Sequence, residues 1–589
     1  MTTTYDQTNA ASSGTCTTVT DEAGKLRQSC VDGVGRLTGV WEDPGSSPHL
    51  NYETDYVYDA LNNLTSVTQK GGSTSANWRN RTFTYDSLSH LLNATNPESG
   101  SISYAYDADG NLITKTALSP NQVSTGTAKV TTTYAYDALN RLTGKSYSDA
   151  YNGNLTPAVS YGYDGANISC PTAIGFYGGS ATNGIGRRTA MCYSAGSKSW
   201  TYDPMGRVNN ESDSFIGLVP PYSADVTTVN GVPTLTELTD YNYYLNGDLS
   251  EFYYPRPDAP DALFYLDENA AGQVTSAGDT NFNVFTLATY TPTGQLAHVW
   301  DSGDGSSGAM QITNSYNNRL QPVNMSVVSS TSAAILNLTY TFNLGNGDNG
   351  NVIQIANGKD NNRTQNFLYD PFNRIWQAYT NGNSPLATSW GETYSPLQYA
   401  PGTLFSSSNA GIDPWGNLTQ RSAVSGKTNH EALSCPANTR NQLTTCSYQY
   451  DPAGNMISNG SINYVYDAEN RLIAISGTGA TATSYVYDGD GNRVEKCSEG
   501  SKAGTCSGTA TGMFYWLHTH GGTLAESDLG GNWTAAYGLI NGAISDRVDR
   551  PSNTVHYYFH DHLGSTSIVT DASGGIENES DYYPSAARS

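Results

Sequence analysis

Long apolar runs are missing from this sequence. No stretch approaches the roughly 18 consecutive apolar residues that a membrane-spanning helix needs. The first residues, Met-Thr-Thr-Thr-Tyr5-Asp6, also lack the basic and apolar segments of a secretory signal. We therefore predict no membrane span. If the protein is exported, we expect either another export route or a chain that is a piece of a longer one.

Basic residues are scarce as well. Lys and Arg number 29 against 53 Asp and Glu, which gives a formal net charge of −24, and no basic run occurs. A nucleic-acid-binding surface needs a basic stripe that replaces the counterions of the phosphates. We therefore expect no nucleic-acid partner. Solubility and the aspartates of turns explain the acidity, and a cationic partner or cargo is the alternative.

Helical periodicity and catalytic signatures are also missing. Apolar residues nowhere keep the i, i+3, i+4 spacing of an amphipathic helix. The sequence contains no G-x-S-x-G or H-E-x-x-H motif, and no acid–base pair can be assigned from it. We therefore predict that the protein is not an enzyme and that it binds no cofactor.

Tyrosine and turn-forming residues are abundant, with 42 Tyr, 60 Gly and 24 Pro. The stretch Tyr104-Ala-Tyr106-Asp107-Ala-Asp-Gly110-Asn111-Leu112 shows how they are used. Its two tyrosines fall on one side of an extended strand. Asp107 can bond backbone N–H groups two residues further on, and Gly110 tolerates a positive φ. The stretch therefore predicts a hairpin of two short strands.

This hairpin stretch recurs along the chain, where eleven Tyr-Asp dipeptides mark its copies. The structural repeat motif comprises Tyr58-Asp59, Tyr85-Asp86, Tyr106-Asp107, Tyr136-Asp137, Tyr202-Asp203, Tyr369-Asp370, Tyr450-Asp451, Tyr466-Asp467 and Tyr487-Asp488. Residues 210–360 keep its outline without the dipeptide. We predict an all-β fold in which residues 1–510 form the repeat region, with weak repeats at 210–360, and residues 511–589 form a β-meander of different character.

The eight cysteines fall as four local pairs along the chain: Cys16/Cys30, Cys170/Cys192, Cys435/Cys446 and Cys497/Cys506. The first pair is centred on a turn signal, so its members would face each other across a hairpin at a separation that a disulfide tolerates. None of the pairs has the C-x2-C spacing of a zinc site. We predict disulfides formed in an oxidising compartment; eight buried thiols are the alternative.

A small group of histidines lies near the C-terminus. His560 and His562 would share one face of a strand, a spacing that can bind a metal ion. The competing interpretation is that this His-Asp-His tract is an ordinary part of a sheet. We predict no metal site and keep His560 and His562 as weak candidates for one.

The Tyr-Asp series, together with the tract His560-Asp-His562-Leu-Gly564-Ser565, resembles the YD-repeat or RHS family over essentially the whole chain. The resemblance implies a spiralling antiparallel sheet of hairpins that forms a hollow shell or large barrel. Bacterial members enclose a C-terminal toxin in this shell for interbacterial competition or insect killing. Animal relatives, the teneurins, use a similar barrel in cell-surface adhesion.

The chain departs from the family's pattern near its end. Members that process themselves continue beyond an Asp-Tyr-Tyr-Pro stretch into an autoproteolytic core with paired aspartates. Here Pro584 is followed by Ser585, Ala586 and a short tail. We therefore expect that the autoproteolytic core and the toxin are both missing.

These observations favour a structural shell segment of an RHS-type polymorphic toxin, which encapsulates or delivers a toxic cargo. Its partners would be a toxin cargo, a component of a secretion apparatus or a second shell chain, and its location would be secreted or at the cell surface. The alternative function is that of an extracellular adhesion or glycan-binding protein, in which exposed aromatic residues bind surface glycans.

Overall fold

The structure is a computed structural model, and it describes residues 1–7, 14–45, 49–153, 156–170, 176–177, 182–218, 220–254, 263–279, 282–285, 287–301, 310–342, 347–386, 388–394, 411–498, 506, 510–518, 522–540 and 543–582. These residues form 48 strands and three 3-10 turns at Ser75–Asn77, Ala150–Asn152 and Asn361–Arg363. The predicted all-β fold is confirmed. Within the described part of the chain, no helix is long and apolar enough to cross a membrane.

The chain divides into two compact units, and each unit is built from separate segments of the sequence. Unit 1 comprises Met1–Lys129, Leu338–Gly460 and Tyr583–Ser589, and unit 2 comprises Val130–Asn337 and Ser461–Tyr582. The predicted boundary between residues 510 and 511 does not coincide with a boundary of either unit. It stays a prediction about the type of repeat.

The strands follow the segments in chain order. The first segment of unit 1 holds β1 (Thr2–Gln7), β2 (Thr15–Thr20), β3 (Leu26–Val31), β4 (Leu37–Glu42), β5 (Tyr52–Tyr58), β6 (Leu64–Gln69), β7 (Arg79–Tyr85), β8 (Leu91–Asn96), β9 (Gly100–Tyr106) and β10 (Leu112–Leu118). The first segment of unit 2 holds β11 (Lys129–Tyr136), β12 (Leu142–Tyr147), β13 (Val159–Tyr163), β14 (Ile168–Ser169), β15 (Phe176–Tyr177), β16 (Arg188–Tyr193), β17 (Gly196–Tyr202), β18 (Val208–Phe215), β19 (Thr227–Val229), β20 (Val232–Tyr243), β21 (Leu249–Tyr253), β22 (Leu263–Glu268), β23 (Val274–Asp279), β24 (Phe282–Phe285), β25 (Leu287–Tyr290), β26 (Leu296–Asp301), β27 (Met310–Tyr316) and β28 (Pro322–Val328).

The second segments of the two units follow in the same way. Unit 1 continues with β29 (Ala334–Thr341), β30 (Gln354–Asn357), β31 (Gln365–Tyr369), β32 (Ile375–Thr380), β33 (Gly391–Thr393), β34 (Gln420–Ala423), β35 (Leu433–Ser434), β36 (Gln449–Tyr450) and β37 (Met456–Ser458). Unit 2 continues with β38 (Ile462–Tyr466), β39 (Leu472–Gly477), β40 (Thr483–Tyr487), β41 (Arg493–Cys497), β42 (Gly512–Leu517), β43 (Thr523–Asp528), β44 (Trp533–Ile540), β45 (Ala543–Asp549), β46 (Thr554–His560), β47 (Thr566–Asp571) and β48 (Ile576–Glu579).

Neighbours in sequence are neighbours in the sheets. From β1 to β10, each strand pairs antiparallel with the next one. The strands from β38 to β48 form the same kind of ladder. A sheet built in this way grows by one hairpin at a time, so a repeated hairpin sequence is sufficient to extend it.

The hairpin β9–β10 shows why the repeat sequence forms strands. Along β9, Ile102, Tyr104 and Tyr106 are half-buried, whereas Ser103 and Ala105 between them are exposed. This alternation with a period of two is typical of a strand with one packed face. The tyrosines therefore mark the packed face of the hairpin.

The largest apolar core of the described residues lies in unit 2. It joins side chains of the first segment, such as Tyr193 and Phe215, to side chains of the second, such as Phe514 and Trp516. The Phe215 ring stacks on Phe514 with centroids 4.7 Å apart, and Trp516 meets Phe215 edge-on at 4.8 Å. Aromatic pairs of this geometry add to the stabilisation from burial. Unit 1 has smaller clusters, around Trp390 and around Trp41.

Candidate functional site

The recurring turn after each Tyr-Asp pair is the best-defined site in the chain. In the Asp107 turn, Oδ1 accepts the backbone N–H groups of Asp109 and Asn111 at 3.0 and 2.8 Å. Oδ2 accepts the side-chain amide of Asn111 at 2.9 Å. Gly110 has a φ of +84°, a conformation open to glycine and tolerated by asparagine. The result is a type I turn followed by a bulge, a common three-residue hairpin loop.

All nine copies of the predicted motif share this arrangement. In each one, Oδ1 accepts the N–H of the residue four positions on, and Oδ2 accepts a side-chain N–H of that same residue, which is Asn, Arg or His. The left-handed residue of each turn is one of Asn62, Ser89, Gly110, Asn140, Gly206, Asn373, Gly454, Asn470 and Gly491. The aspartate and the fourth residue after it therefore act as one device that closes the hairpin.

The tyrosine before the aspartate ties its hairpin to the preceding one. The hydroxyl of Tyr487 donates to the carbonyl of Leu472 at 2.7 Å, and that of Tyr106 donates to the carbonyl of Leu91 at 3.1 Å. In both cases the acceptor is the first residue of the return strand in the previous hairpin. The same bond joins Tyr163 to Leu142, Tyr202 to Arg188, Tyr243 to Val208, Tyr290 to Val274, Tyr316 to Leu296 and Tyr369 to Val352.

A basic side chain of the turn covers the next tyrosine ring. The guanidinium of Arg141 lies 4.4 Å from the centre of the Tyr163 ring, and Arg471 lies 5.0 Å from that of Tyr487. Cation–π contacts at this distance are attractive. The sequence analysis missed this role, although arginine recurs at the fourth position after the aspartate. Repeats with arginine at this position, such as those of Asp137 and Asp467, therefore contact the next repeat through an arginine, a ring and a hydroxyl.

The degree of burial determines in which direction the pKa of each side chain in the site is shifted. Hydrogen bonds from Asn111 lower the pKa of the exposed Asp107 carboxyl. Burial instead raises the pKa of the Asp467 carboxyl, against the opposing charge of Arg471. Burial also raises the pKa of Tyr369 to about 12, so its hydroxyl stays a hydrogen-bond donor at neutral pH.

The weak repeats keep the turn with other acceptors. Asn269 Oδ1 accepts the N–H groups of Ala271 and Gln273 at 2.8 and 3.2 Å. Thr291 Oγ1 accepts the N–H of Gln295 at 3.1 Å. The short polar side chains of Asn and Thr can bond nearby backbone N–H groups in the way that Asp does. The hairpin architecture therefore continues through the region where the dipeptide is lost.

The four predicted cysteine pairs are bonded in the structure. Cys16 and Cys30 stand opposite each other on β2 and β3. Cys170 is bonded to Cys192 on β16. The other two disulfides join the members of the pairs Cys435–Cys446 and Cys497–Cys506.

The histidine candidates do not lie on one face of a strand. β46 ends at His560, whose Nε2 lies 2.7 Å from the carbonyl oxygen of Ile544. His562 follows in a turn, where Asp561 Oδ1 accepts the N–H groups of Leu563 and Ser565. The prediction that His560 and His562 share one strand face was wrong, because Asp561 lies between them and opens the same kind of turn as the repeat aspartates do. Among the residues that the structure describes, no group of three or more His, Cys, Asp or Glu side chains could hold a metal ion.

Comparison with known families and sequences gives a limited sequence match. No family model matches the chain. The tRNA nuclease WapA of Bacillus subtilis strain 168 is 28% identical over 149 residues, which are 24% of this chain and 6% of that protein. The tRNA3(Ser)-specific nuclease WapA of Bacillus spizizenii is 29% identical over 150 residues, with the same coverage. The chain thus spans only a small part of the length of the curated relatives that it matches.

Comparison with solved structures extends the likeness to nearly the whole chain. A chain of the Tc holotoxin pore of Photorhabdus luminescens matches 96% of this chain with a TM-score of 0.69 at 16% identity, over 27% of its own length. The TcdB2–TccC3 structure without its hypervariable C-terminal region matches 96% of this chain with a TM-score of 0.62 at 17% identity, over 30% of its own length. This likeness shows that the chain shares the fold of these Tc toxin chains, and the fold agrees with the resemblance of the Tyr-Asp hairpins to the YD-repeat or RHS family.

Proposed function

We propose that this chain is a structural segment of the shell of an RHS-type polymorphic toxin, and that the shell encapsulates or delivers a toxic cargo. The observation that carries the proposal is the match of 96% of the chain to the fold of Tc toxin chains. The sequence match to WapA nucleases adds support from a second group of toxic proteins.

The chemistry of the repeats supports a structural role without catalysis. A general acid or base needs a carboxyl group that can exchange protons with a substrate. The motif aspartates instead hold backbone and side-chain N–H groups with both of their oxygens, as Asp137 does with Leu139 and Arg141. Both oxygens of these carboxylates accept hydrogen bonds that close hairpins, which is consistent with a structural role.

Partners and location follow from the same proposal. The chain matches only about a third of each solved Tc chain, for example 31% of the chain in the TcdB2–TccC3–Cdc42 structure. The proposed partners are a toxin cargo, a component of a secretion apparatus or a second shell chain. Four disulfides are typical of proteins that reside in an oxidising compartment, which supports a secreted or cell-surface location.

Protection of a cargo from protease tests the proposal. The chain would be co-expressed with the polypeptide encoded next to it in its genome, purified as a complex and treated with protease. We expect the second polypeptide to co-elute and to resist cleavage until the shell is denatured. As a control, the complex is also prepared with the Asp467→Ala chain, in which one buried turn is weakened, and is treated with protease in the same way. Cleavage of the second polypeptide at the rate of its free form, in a complex that is otherwise intact, would contradict encapsulation.

The alternative is an extracellular adhesion or glycan-binding protein. Exposed tyrosines such as Tyr151 and Tyr222 are the side chains that would stack on sugar rings. A glycan array would show a reproducible hit that is lost in Tyr151→Ala or Tyr222→Ala. A reproducible hit without any protected cargo would favour this function over the shell.

A further inference from the structure

Unit 2 buries a lysine beside two carboxylates that the repeat turns do not use. Lys198 lies on β17, directly opposite Asp213 on β18. Glu211 lies two residues before Asp213 on β18, so all three side chains share one face of the sheet. Lys198, Glu211 and Asp213 are only 5%, 2% and 4% exposed. Charged residues are buried to this degree only when they are paired.

The distances place the lysine amine against both carboxyl groups. Lys198 Nζ lies 2.6 Å from Glu211 Oε1. It lies 3.0 Å from Asp213 Oδ1 and 3.3 Å from Oδ2. Because Nζ is close to both oxygens of Asp213, it faces the carboxyl group as a whole.

The surroundings of the three residues combine buried aromatic side chains with charged ones, among them Arg188 and Asp488. Tyr193 on the neighbouring strand β16 and Phe215 on β18 are each 1% exposed. Within the described part of the chain, Glu211 Oε2 has no hydrogen-bond partner. A buried polar atom that lacks a hydrogen bond is costly.

We propose that Lys198 and Asp213 form an intramolecular isopeptide bond, with Glu211 transferring the protons. Glu211 first takes a proton from the Lys198 ammonium group through its 2.6 Å contact. The free Nζ then attacks Cγ of the protonated Asp213, which forms the N–C bond. Glu211 gives that proton to the departing hydroxyl, the Cγ–O bond breaks, and one water leaves. Glu211 then takes the remaining extra proton from the nitrogen, so the step ends with a neutral amide and a protonated Glu211. A buried ammonium and carboxyl group become one neutral amide, and no oxidant or other reactant is needed.

The protonation states fit this step. Burial raises the pKa of Asp213 to about 7, against the charge of Lys198. Near neutral pH the carboxyl is therefore often the neutral acid, which nucleophiles attack more readily than the anion. Burial lowers the pKa of Lys198, but Asp213 and Glu211 raise it further, to well above its ordinary value. The amine consequently needs a base in contact with it, and Glu211 occupies that position.

A small cavity gives the released water a way out. It has a volume of about 160 Å³ and is lined by both Lys198 and Glu211, among other residues. A space of this size holds several water molecules. The bond would join β17 to β18 across the Asp203 hairpin, so it would reinforce a repeat covalently in addition to its hydrogen bonds.

Mass spectrometry of the whole chain tests the proposal. After complete reduction of the disulfides, we expect the wild-type chain to be lighter than its sequence by one water. Arg207 lies between the two residues in sequence, so trypsin separates them unless they are joined. We expect one branched peptide that contains both. A wild-type chain of full sequence mass, with Lys198 and Asp213 in separate linear peptides, would overturn the proposal.

Variants separate the reactants from the proton-transfer group. Lys198→Arg and Asp213→Ala should both have the full sequence mass. Glu211→Gln keeps both reactants and the size of the side chain, so we expect a folded chain in which the bond is absent or forms far more slowly. A Glu211→Gln chain that forms the bond as fast as the wild type would overturn the assigned role of Glu211.

A matched lysine serves as the control. Lys145 also lies in unit 2 and contacts a carboxylate, with Nζ 3.4 Å from Glu469 Oε1. It is not placed against an aspartate in the way Lys198 is, so Lys145→Arg should keep the loss of one water. Loss of the mass difference in Lys145→Arg would mean that the bond lies elsewhere and would overturn the assignment to Lys198. Circular dichroism of every variant confirms that the strands are still formed.

Discussion

Two copies of the repeat turn in unit 2 have nearly the same sequence and different surroundings. Asp137-Ala-Leu-Asn-Arg141 and Asp467-Ala-Glu-Asn-Arg471 differ at one of five residues. Arginine Nε lies 2.7 Å from the aspartate in the first turn and 2.6 Å in the second. In both turns the arginine covers the tyrosine ring of the next repeat, Tyr163 or Tyr487.

Burial separates the two turns. The Asp137 side chain is 24% exposed, and that of Asp467 is 3% exposed. The Asp467 turn packs against the first segment of unit 2, where Thr156 Oγ1 accepts the N–H of Ala468 at 2.7 Å. A backbone hydrogen bond from Arg141 helps to lower the pKa of Asp137, whereas burial raises that of Asp467. The turn sequence thus determines the geometry, and the packing determines the energetics.

Removing the two aspartates should give the largest difference. Asp467→Ala removes a buried carboxylate and one partner of the half-buried Arg471, which we expect to cost about 3 kcal/mol of local stability. Asp137→Ala removes an exposed pair and should cost much less. Hydrogen exchange of the peptides that cover each turn measures both effects in the disulfide-bonded protein. Equal losses of hydrogen-exchange protection in the two variants would contradict the conclusion that burial separates the two turns.

The pH dependence of the buried region should have the sign opposite to that of the exposed turns. The Asp137 turn has a lowered pKa, so its stabilisation is present above the unfolded pKa and is lost as pH falls through the folded pKa. On β41 in the same segment of unit 2 as the Asp467 turn, burial raises the pKa of Glu495 to about 8. Protonation of Glu495 favours the folded state, so this part of unit 2 should lose stability as pH rises from about 4.5 to about 8.

A variant isolates the contribution of Glu495. A single titrating group changes stability by at most about 1.4 kcal/mol per pH unit. Glu495→Gln cannot ionise, so hydrogen-exchange protection of β40 and β41, corrected for intrinsic rates, should fall less with pH than in the wild type. At pH 8 the variant should be the more stable of the two. A wild-type profile that rises through this window would contradict the assignment.

The tyrosine hydroxyls should matter about equally in the two turns. Tyr163→Phe and Tyr487→Phe each remove one hydrogen bond to a backbone carbonyl, Leu142 in one case and Leu472 in the other. We expect each to cost about 1 kcal/mol. The midpoint of denaturant unfolding, with Tyr151→Phe as an exposed control, measures both losses. If the unfolding midpoint changed in neither variant, the hydroxyl hydrogen bond would not be what joins neighbouring hairpins.

Restoring an aspartate in a weak repeat should have the smallest effect. Thr291→Asp gives the turn a carboxylate that can accept the N–H of Gln295 as the strong copies do. We expect a gain of about 0.5 kcal/mol, measured by the unfolding midpoint of unit 2. A loss would indicate that the weak turns differ from the strong ones by more than their acceptor.

The sequence predicted the features that depend on neighbouring residues. An aspartate, a left-handed Asn or Gly and a return strand lie within six residues, so the hairpin is visible in the sequence alone. The cysteine pairs were visible for the same reason, because a hairpin brings Cys16 opposite Cys30.

Features that depend on distant contacts were not predictable. Asp137 and Asp467 have nearly the same local sequence, and the second turn is distinguished by packing against distant residues such as Thr156 and Tyr147. The stretch Asn209-Asn-Glu211-Ser-Asp213 has the polar composition of a solvent-exposed segment. Its two carboxylates are nevertheless buried against Lys198. The prediction of a shared strand face for His560 and His562 was wrong because Asp561 was not recognised as a turn aspartate. In the first two cases the deciding partner lies outside the local pattern, whereas the Asp561 turn is a local signal that was overlooked.

The central claim is that hairpins of this kind form a wall around space, and small-angle X-ray scattering tests it most directly. A solid domain of 589 residues would have a radius of gyration of about 25 Å. We predict a clearly larger radius for the purified chain, together with a distance distribution shifted towards long distances. A radius of about 25 Å with the symmetric distribution of a solid particle would contradict the account.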